Sequence, residues 1–283
     1  AWDTKNVVSL EGIFTKCFKF NSNIDKWNID KIIYLTEIFY EAIVFNQSIN
    51  TQPVNFTVNG TSIEYFAWNT VNVKKFDKMF FDASKFNQDI GNWNTSSGET
   101  AIAMFKNAYD FNCGESDFHT KMLTKNNTLT LASGATYVYF SWNTENMNNF
   151  AYMFDSAEKF NGDIGNWNTE NINNIKQDGT VGTYKPTSSS PIDFDYVNAI
   201  GFVCMFRNAL IFGKTHSSLT DSYVDIRQWH VKSDISFSSP TSGVSYLGSQ
   251  GYADMSHMFK GATEFSGKYD SSNSTFISAV NGH

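Results

Sequence analysis

One spacing constrains this chain more than any other. Trp2 and Trp27, Trp68 and Trp93, and Trp142 and Trp167 are each 25 residues apart. Trp27 to Trp68 and Trp93 to Trp142 are the same step lengthened by an insertion, and Trp229 follows longer interruptions. Other positions keep step. Phe14, Phe39, Phe80, Phe105 and Phe154 each lie 12 residues after a Trp, preceded by Ile or Met. A small residue follows at Cys17, Ala42, Ala83, Ala108 and Ala157, then Phe-Asn at Phe20, Phe45, Phe86, Phe111 and Phe160. Met205-Phe206 and Met258-Phe259 restart the pattern, giving seven repeats. A fixed period of this length means that each unit buries its apolar face only against its neighbours.

Within a repeat, Val73, Phe76, Met79, Phe80, Ala83 and Phe86 have the three- and four-residue spacing of one helix face. Thr70, Thr95, Thr144 and Thr169 fall where an N-cap would sit. The stretch Gln88–Trp93 reads as a short extended segment. The predicted fold is therefore an α/β repeat: a solenoid of about seven helix-plus-short-strand coils forming one domain over residues 1–283. Its core is Trp27, Trp68, Trp93, Trp142, Trp167, Phe80, Phe86, Phe154 and Phe160. Asn87 and Asn161, after the second Phe, are expected to form an internal ladder, with an exposed binding row as the other reading.

The stretches Met79-Phe80-x-x-Ala83-x-x-Phe86-Asn87-x-Asp89-Ile90-x-x-Trp93-Asn94-Thr95 and Met153-Phe154-x-x-Ala157-x-x-Phe160-Asn161-x-Asp163-Ile164-x-x-Trp167-Asn168-Thr169 resemble the repeat of BspA-type leucine-rich-repeat surface proteins. The same repeat occurs in mycoplasma-type surface lipoproteins. The resemblance implies a right-handed leucine-rich-repeat-like solenoid and a role in adhesion or surface display. It carries over no catalytic residue.

Insertions break the repeat at two phases only, at roughly 51–67, 113–141 and 213–228 before a Trp, and at roughly 176–204 and 236–255 after one. Insertions at one phase emerge along one edge. Val54–Val58, Asn59-Gly60 and Thr61–Phe66 read as strand, two-residue turn and strand. Thr128–Leu131 and Thr136–Phe140 flank Ser133-Gly134 in the same way, and Ile235–Ser239 with Gly243–Leu247 forms a third candidate. The first two hairpins are expected to extend the solenoid's strand row and to flank one another across the third repeat. They carry the candidate recognition or assembly surface: Phe56, Tyr65, Phe66, Tyr137 and Tyr139, with Tyr184 and Tyr246 in the later insertions.

Composition narrows the chemistry. The net charge is −7, which disfavours a nucleic-acid partner. No apolar run reaches the length of a membrane span. Cys17, Cys113 and Cys204 are too few and too dispersed for a disulfide framework or a metal site. The five His sit in no metalloprotease or nucleophile-elbow motif, and Asp89 and Asp163 share a phase that the intervening repeat fills with Gly114. The expectation is a protein that is not an enzyme and uses no cofactor or metal. It would act at a cell surface, extracellularly or on a virion, and bind a protein or glycan. The other reading is a coat or layer subunit that binds copies of itself. The apolar set Val7, Leu10, Ile13 and Phe14 implies that the N-terminal coil packs against another segment or subunit.

Overall fold

A computed structural model describes residues 2–172, 200–213, 229, 258–263, 268–270 and 275–277. The repeats are stacked coils, each counted from its Trp. The first Phe of each coil stacks on that of the next: Phe14, Phe39, Phe80, Phe105, Phe154, Phe206 and Phe259 follow one another at 5.4–5.6 Å, nearly parallel. The second Phe of each coil forms another column, from Phe20 to Phe212, at 5.7–6.0 Å. Within a coil the two rings are face to face at 3.8–3.9 Å. Trp27, Trp68, Trp93, Trp142, Trp167 and Trp229 belong to the same buried cluster. Each indole N–H from Trp68 onward donates to a carbonyl two coils back on the chain's Trp count or one layer below: Trp68 to Ile24, Trp93 to Ile49, Trp142 to Ile90, Trp167 to Met122 and Trp229 to Ile164.

The helix-plus-strand coil is overturned. Among the described residues there is no helix, and strands occur only as three short antiparallel pairs. The α/β, leucine-rich-repeat-like class expected from the spacing therefore does not hold. The reason lies in the backbone. Two residues before and two after the first Phe, φ is positive: Glu37 and Glu41, Lys78 and Asp82, Ala103 and Asn107, Tyr152 and Ser156, Cys204 and Asn208. A left-handed residue every fourth position cannot continue a right-handed helix. The segment becomes a chain of reverse turns instead. In the third coil, Met79 N–H bonds Phe76 O, Phe81 bonds Lys78, and Ala83 bonds Phe80. The intervening N–H groups of Phe76, Lys78, Phe80 and Asp82 point along the stack to Thr100, Ile102, Met104 and Lys106 carbonyls at 2.8–3.0 Å. The same alternation joins the fourth coil to the fifth and the fifth to the sixth.

The extended row is displaced as well. Its isolated parallel bridges run Tyr34–Lys75–Thr100–Asn149, seven residues after each Trp, rather than through Gln88–Trp93. The threonines expected to cap helices are buried and tie coil to coil instead. Thr70, Thr95 and Thr144 hydroxyls donate to Asn94, Asn143 and Asn168 carbonyls at 2.7–2.9 Å. After the second Phe there is a side-chain ladder. Asn21, Asn46, Asn87, Asn112 and Asn161 each accept, through Oδ1, a backbone N–H of the next coil, namely Asn46, Asn87, Asn112, Asn161 and Gly213.

A second apolar cluster, with Phe81, Ile102, Ala151, Tyr152 and Val203, runs beside the main core. Next to it Asp155, fully buried, accepts from Lys106 Nζ at 2.6 Å and from Arg207 Nε at 2.8 Å. The two cations lie 5.8 and 5.7 Å from the Phe81 and Tyr152 ring centroids. Asp155→Asn leaves two buried cations short of their counter-charge and is expected to destabilise the chain by about 3–5 kcal/mol in urea unfolding. Trp93→Phe keeps a ring in the column but strands the Ile49 carbonyl, an expected loss of about 1–3 kcal/mol by the same measurement. Lys85→Ala, which opens an exposed ion pair to Asp110, should change stability far less than either.

Candidate functional site

Two insertions leave the stack as hairpins. The first pairs β1 (Gln52–Val58) with β2 (Thr61–Ala67); the second pairs β3 (Lys125–Thr130) with β4 (Thr136–Ser141). A third pair, β5 (Lys268–Asp270) and β6 (Thr275–Ile277), lies near the C-terminus. Asn59 and Gly60 both have positive φ, which is the two-residue turn that matches strand twist, so Val58 pairs with Thr61. An added Cβ at Gly60 or at Gly134 would meet nothing within 4 Å, so neither turn glycine is packed against a neighbour.

Both hairpins are clamped at the base by the same three groups. Thr51 and Thr124 hydroxyls donate to the carbonyls of Trp68 and Trp142 at 2.7 and 2.6 Å. Those two tryptophans have φ of 48° and 47°, and their N–H groups bond the Trp27 and Trp93 carbonyls below. Three residues before each of them, Tyr65 and Tyr139 donate their hydroxyls to the carbonyls of Lys26 and Asn92. Burial raises the pKa of both phenols, so both stay protonated donors. The candidate aromatic residues therefore divide. Tyr139 is buried, and Tyr65, Phe66 and Tyr137 are half-buried, while Phe56 is 41% exposed. Tyr137 stacks on Tyr139 at 4.4 Å and accepts from Asn94 Nδ2 at 2.6 Å. Tyr184, Tyr246, the third candidate hairpin at 235–247 and the insertions at 213–228 and 236–255 lie outside the described residues, apart from Gly213. Of the 176–204 insertion, Ile200–Cys204 already belong to a coil, since Gly201 and Val203 carbonyls accept from Phe150 and Tyr152.

The hairpins do not extend a strand row, because each is a separate two-stranded sheet. They do meet across the third coil. Phe66 packs on Tyr137 with ring centroids 5.6 Å apart, and Glu64 Oε2 accepts the Ser133 N–H at 3.1 Å. Side chains missed by a reading weighted toward Tyr form the open faces. Val58 and Ile63 are 45% and 37% exposed beside Phe56, and Val138 and Phe140 are 66% and 52% exposed on the second hairpin. Alternation from the clamped Tyr does not single them out, since Ile63 shares the face of Tyr65 whereas Val138 and Phe140 lie on the face opposite Tyr139.

Before β3, the second insertion adds one more rung to the stack. His119 bridges Gly162 in parallel, and its ring lies where a Cβ on Gly162 would be, 2.6 Å from Cε1. Its Nδ1 accepts the Lys121 N–H at 3.2 Å, and its buried Nε2 has no partner. Burial, followed by the Lys121 charge, lowers its pKa to about 4. Lys121 itself is held by Asp89 at 2.9 Å and Glu115 at 2.6 Å. Cys113 beneath is buried, which pushes its thiol up to about 12 and leaves it inert. Among the described residues no three His, Cys, Asp or Glu side chains gather to hold a metal ion, and no helix is long and apolar enough to cross a membrane.

Residues 1–64, 55–138 and 135–178 each match the family described as Mycoplasma protein of unknown function, DUF285. The chain belongs to this family. Comparison with curated proteins and with solved structures finds no match. In this DUF285 chain the matched region includes both clamped hairpins and the first five coils.

His119 gives this region a pH signature. Its folded pKa lies below the ordinary value of 6.5, so between pH 6.5 and 4 the unfolded chain binds the extra proton. Stability should fall through that window by up to about 3 kcal/mol from this residue and be constant below it. His119→Gln should remove that part of the slope when melting temperature is followed against pH.

Proposed function

We propose that the chain is a surface-displayed, non-enzymatic repeat protein of the BspA-like kind, acting outside the cell and recognising a protein or glycan through its hairpin arms. The observation that carries this reading is the construction of the arms. Each is clamped at its base by Thr, Tyr and Trp and carries exposed apolar side chains farther out, Phe56, Val58 and Ile63 on the first and Val138 on the second. Such an arm is ordered before it meets a partner, so binding costs less conformational entropy. Thr57, Thr61, Thr128 and Asn126 surround the exposed apolar side chains with uncharged hydrogen-bonding groups, a surface suited to protein or sugar contact. The family assignment supports the reading at a coarser level, since the repeat is the family's own. Many lysines are engaged in pairs, such as Lys74 with Glu99 and Lys85 and Lys159 with Asp110, which disfavours a phosphate-backbone partner.

Cutting both arms back tests it. Joining Val54 to Tyr65, and Asn127 to Tyr139, through Asn-Gly turns keeps the clamps and removes the outer halves. The intact chain should bind at least one component of an array of glycans and immobilised extracellular proteins, and the shortened chain should lose that binding at least tenfold. An intact chain that binds nothing, or binding that survives the cut, overturns the reading.

A further inference from the structure

Counting back from the clamped tryptophans shows that the two hairpins are equivalent position by position. Tyr65 and Tyr139 lie three residues before Trp, Phe66 and Phe140 two, Glu64 and Val138 four, and Ile63 and Tyr137 five. In the contact between the hairpins, the first supplies Phe66 and Glu64, and the second supplies Tyr137 and, at its tip, Ser133. Among the described residues two faces are left over. On the first hairpin it is the Ile63 face, where Phe56 pairs with Ile63 and Val58 lies two residues on. On the second it is the Phe140 face, with Val138, opposite Asn126 and Thr128. The bare Ile63 face is the counterpart of the face with which the second hairpin docks. The bare Phe140 face is the counterpart of the face that receives it. Among the described residues the chain thus makes this contact once internally and leaves one unused half on each hairpin.

We propose that these two faces join copies of the chain head to tail, the Phe56–Val58–Ile63 face of one copy receiving the Val138–Phe140 face of another. Charge favours a second copy as the occupant. The chain carries a net −7, which repels copies elsewhere, yet residues 53–63 and 126–140 contain no charged side chain. Beyond Lys125 at the base of β3, neither hairpin carries a lysine of the kind that ordinarily guards an exposed strand. A contact between unlike faces leaves a free half on each added copy, so it continues past the dimer into a ring or an open chain. This inference rests on the arms being the working surface but not on any outside partner. Array binding reports on the partner and sedimentation reports on self-association, so the two can fail separately.

The test is analytical ultracentrifugation of the intact chain, Phe56→Asp and Val138→Asp, up to about 1 mM. Both substitutions are at exposed positions, and an unchanged melting temperature checks that each variant is folded. The intact chain should show a mass that rises with concentration past the dimer. Each variant alone should be monomeric, because each lacks one half of the contact. An equimolar mixture of the two should form dimers and stop there, since one good half survives on each partner. A monomeric intact chain, a variant that associates as the intact chain does, or a mixture that stays monomeric overturns the proposal.

Discussion

The left-handed residues on either side of the first Phe set the terms for everything else. They turn every second peptide group along the stack, so its N–H bonds the next coil while the alternate groups close reverse turns within their own coil. Non-glycine residues hold φ near 55° at most of these positions, at a cost of order 1 kcal/mol each. What offsets that cost is the aromatic column. Each Phe meets its counterpart in the next coil and its neighbour in the same coil, so one ring serves two stacking contacts at once.

The same geometry explains where sequence reading succeeded and where it failed. The Trp and Phe registers were legible because stacked equivalents must recur at one period, and Trp68, Trp93, Trp142 and Trp167 do share one core. The helix was misread because successive reverse turns also bring residues three apart onto one face. Val73, Phe76, Met79, Phe80, Ala83 and Phe86 are all buried, as a helix would have buried them. Apolar spacing reports which side chains point inward, and it does not report the sign of φ between them. Glu37, Lys78 and Asp82 give no hint of a left-handed backbone, since Gly occupies the equivalent place only at Gly12 and Gly261.

The hairpins were legible through Asn59-Gly60 and strand alternation, and their neighbourly contact follows from their common phase. Their tyrosines were harder to read. Tyr65 and Tyr139 look like surface recognition residues in a list of letters, yet their hydroxyls are committed to carbonyls of the coil below. The distinction depends on a partner 39 or 47 residues away in sequence, which no local pattern contains. The open faces were overlooked because they are built from Val, Ile and Phe, the same letters as the core.

The clamp has a consequence for how such a chain diversifies. Thr51 and Trp68 hold one loop, Thr124 and Trp142 another of slightly different length, and the rings above and below keep their spacing in both cases. The body therefore does not register what lies between the two jaws. An arm is a cassette: its tip can be lengthened, shortened or exchanged while the coil that carries it stays in place, so binding preference and architectural integrity vary independently.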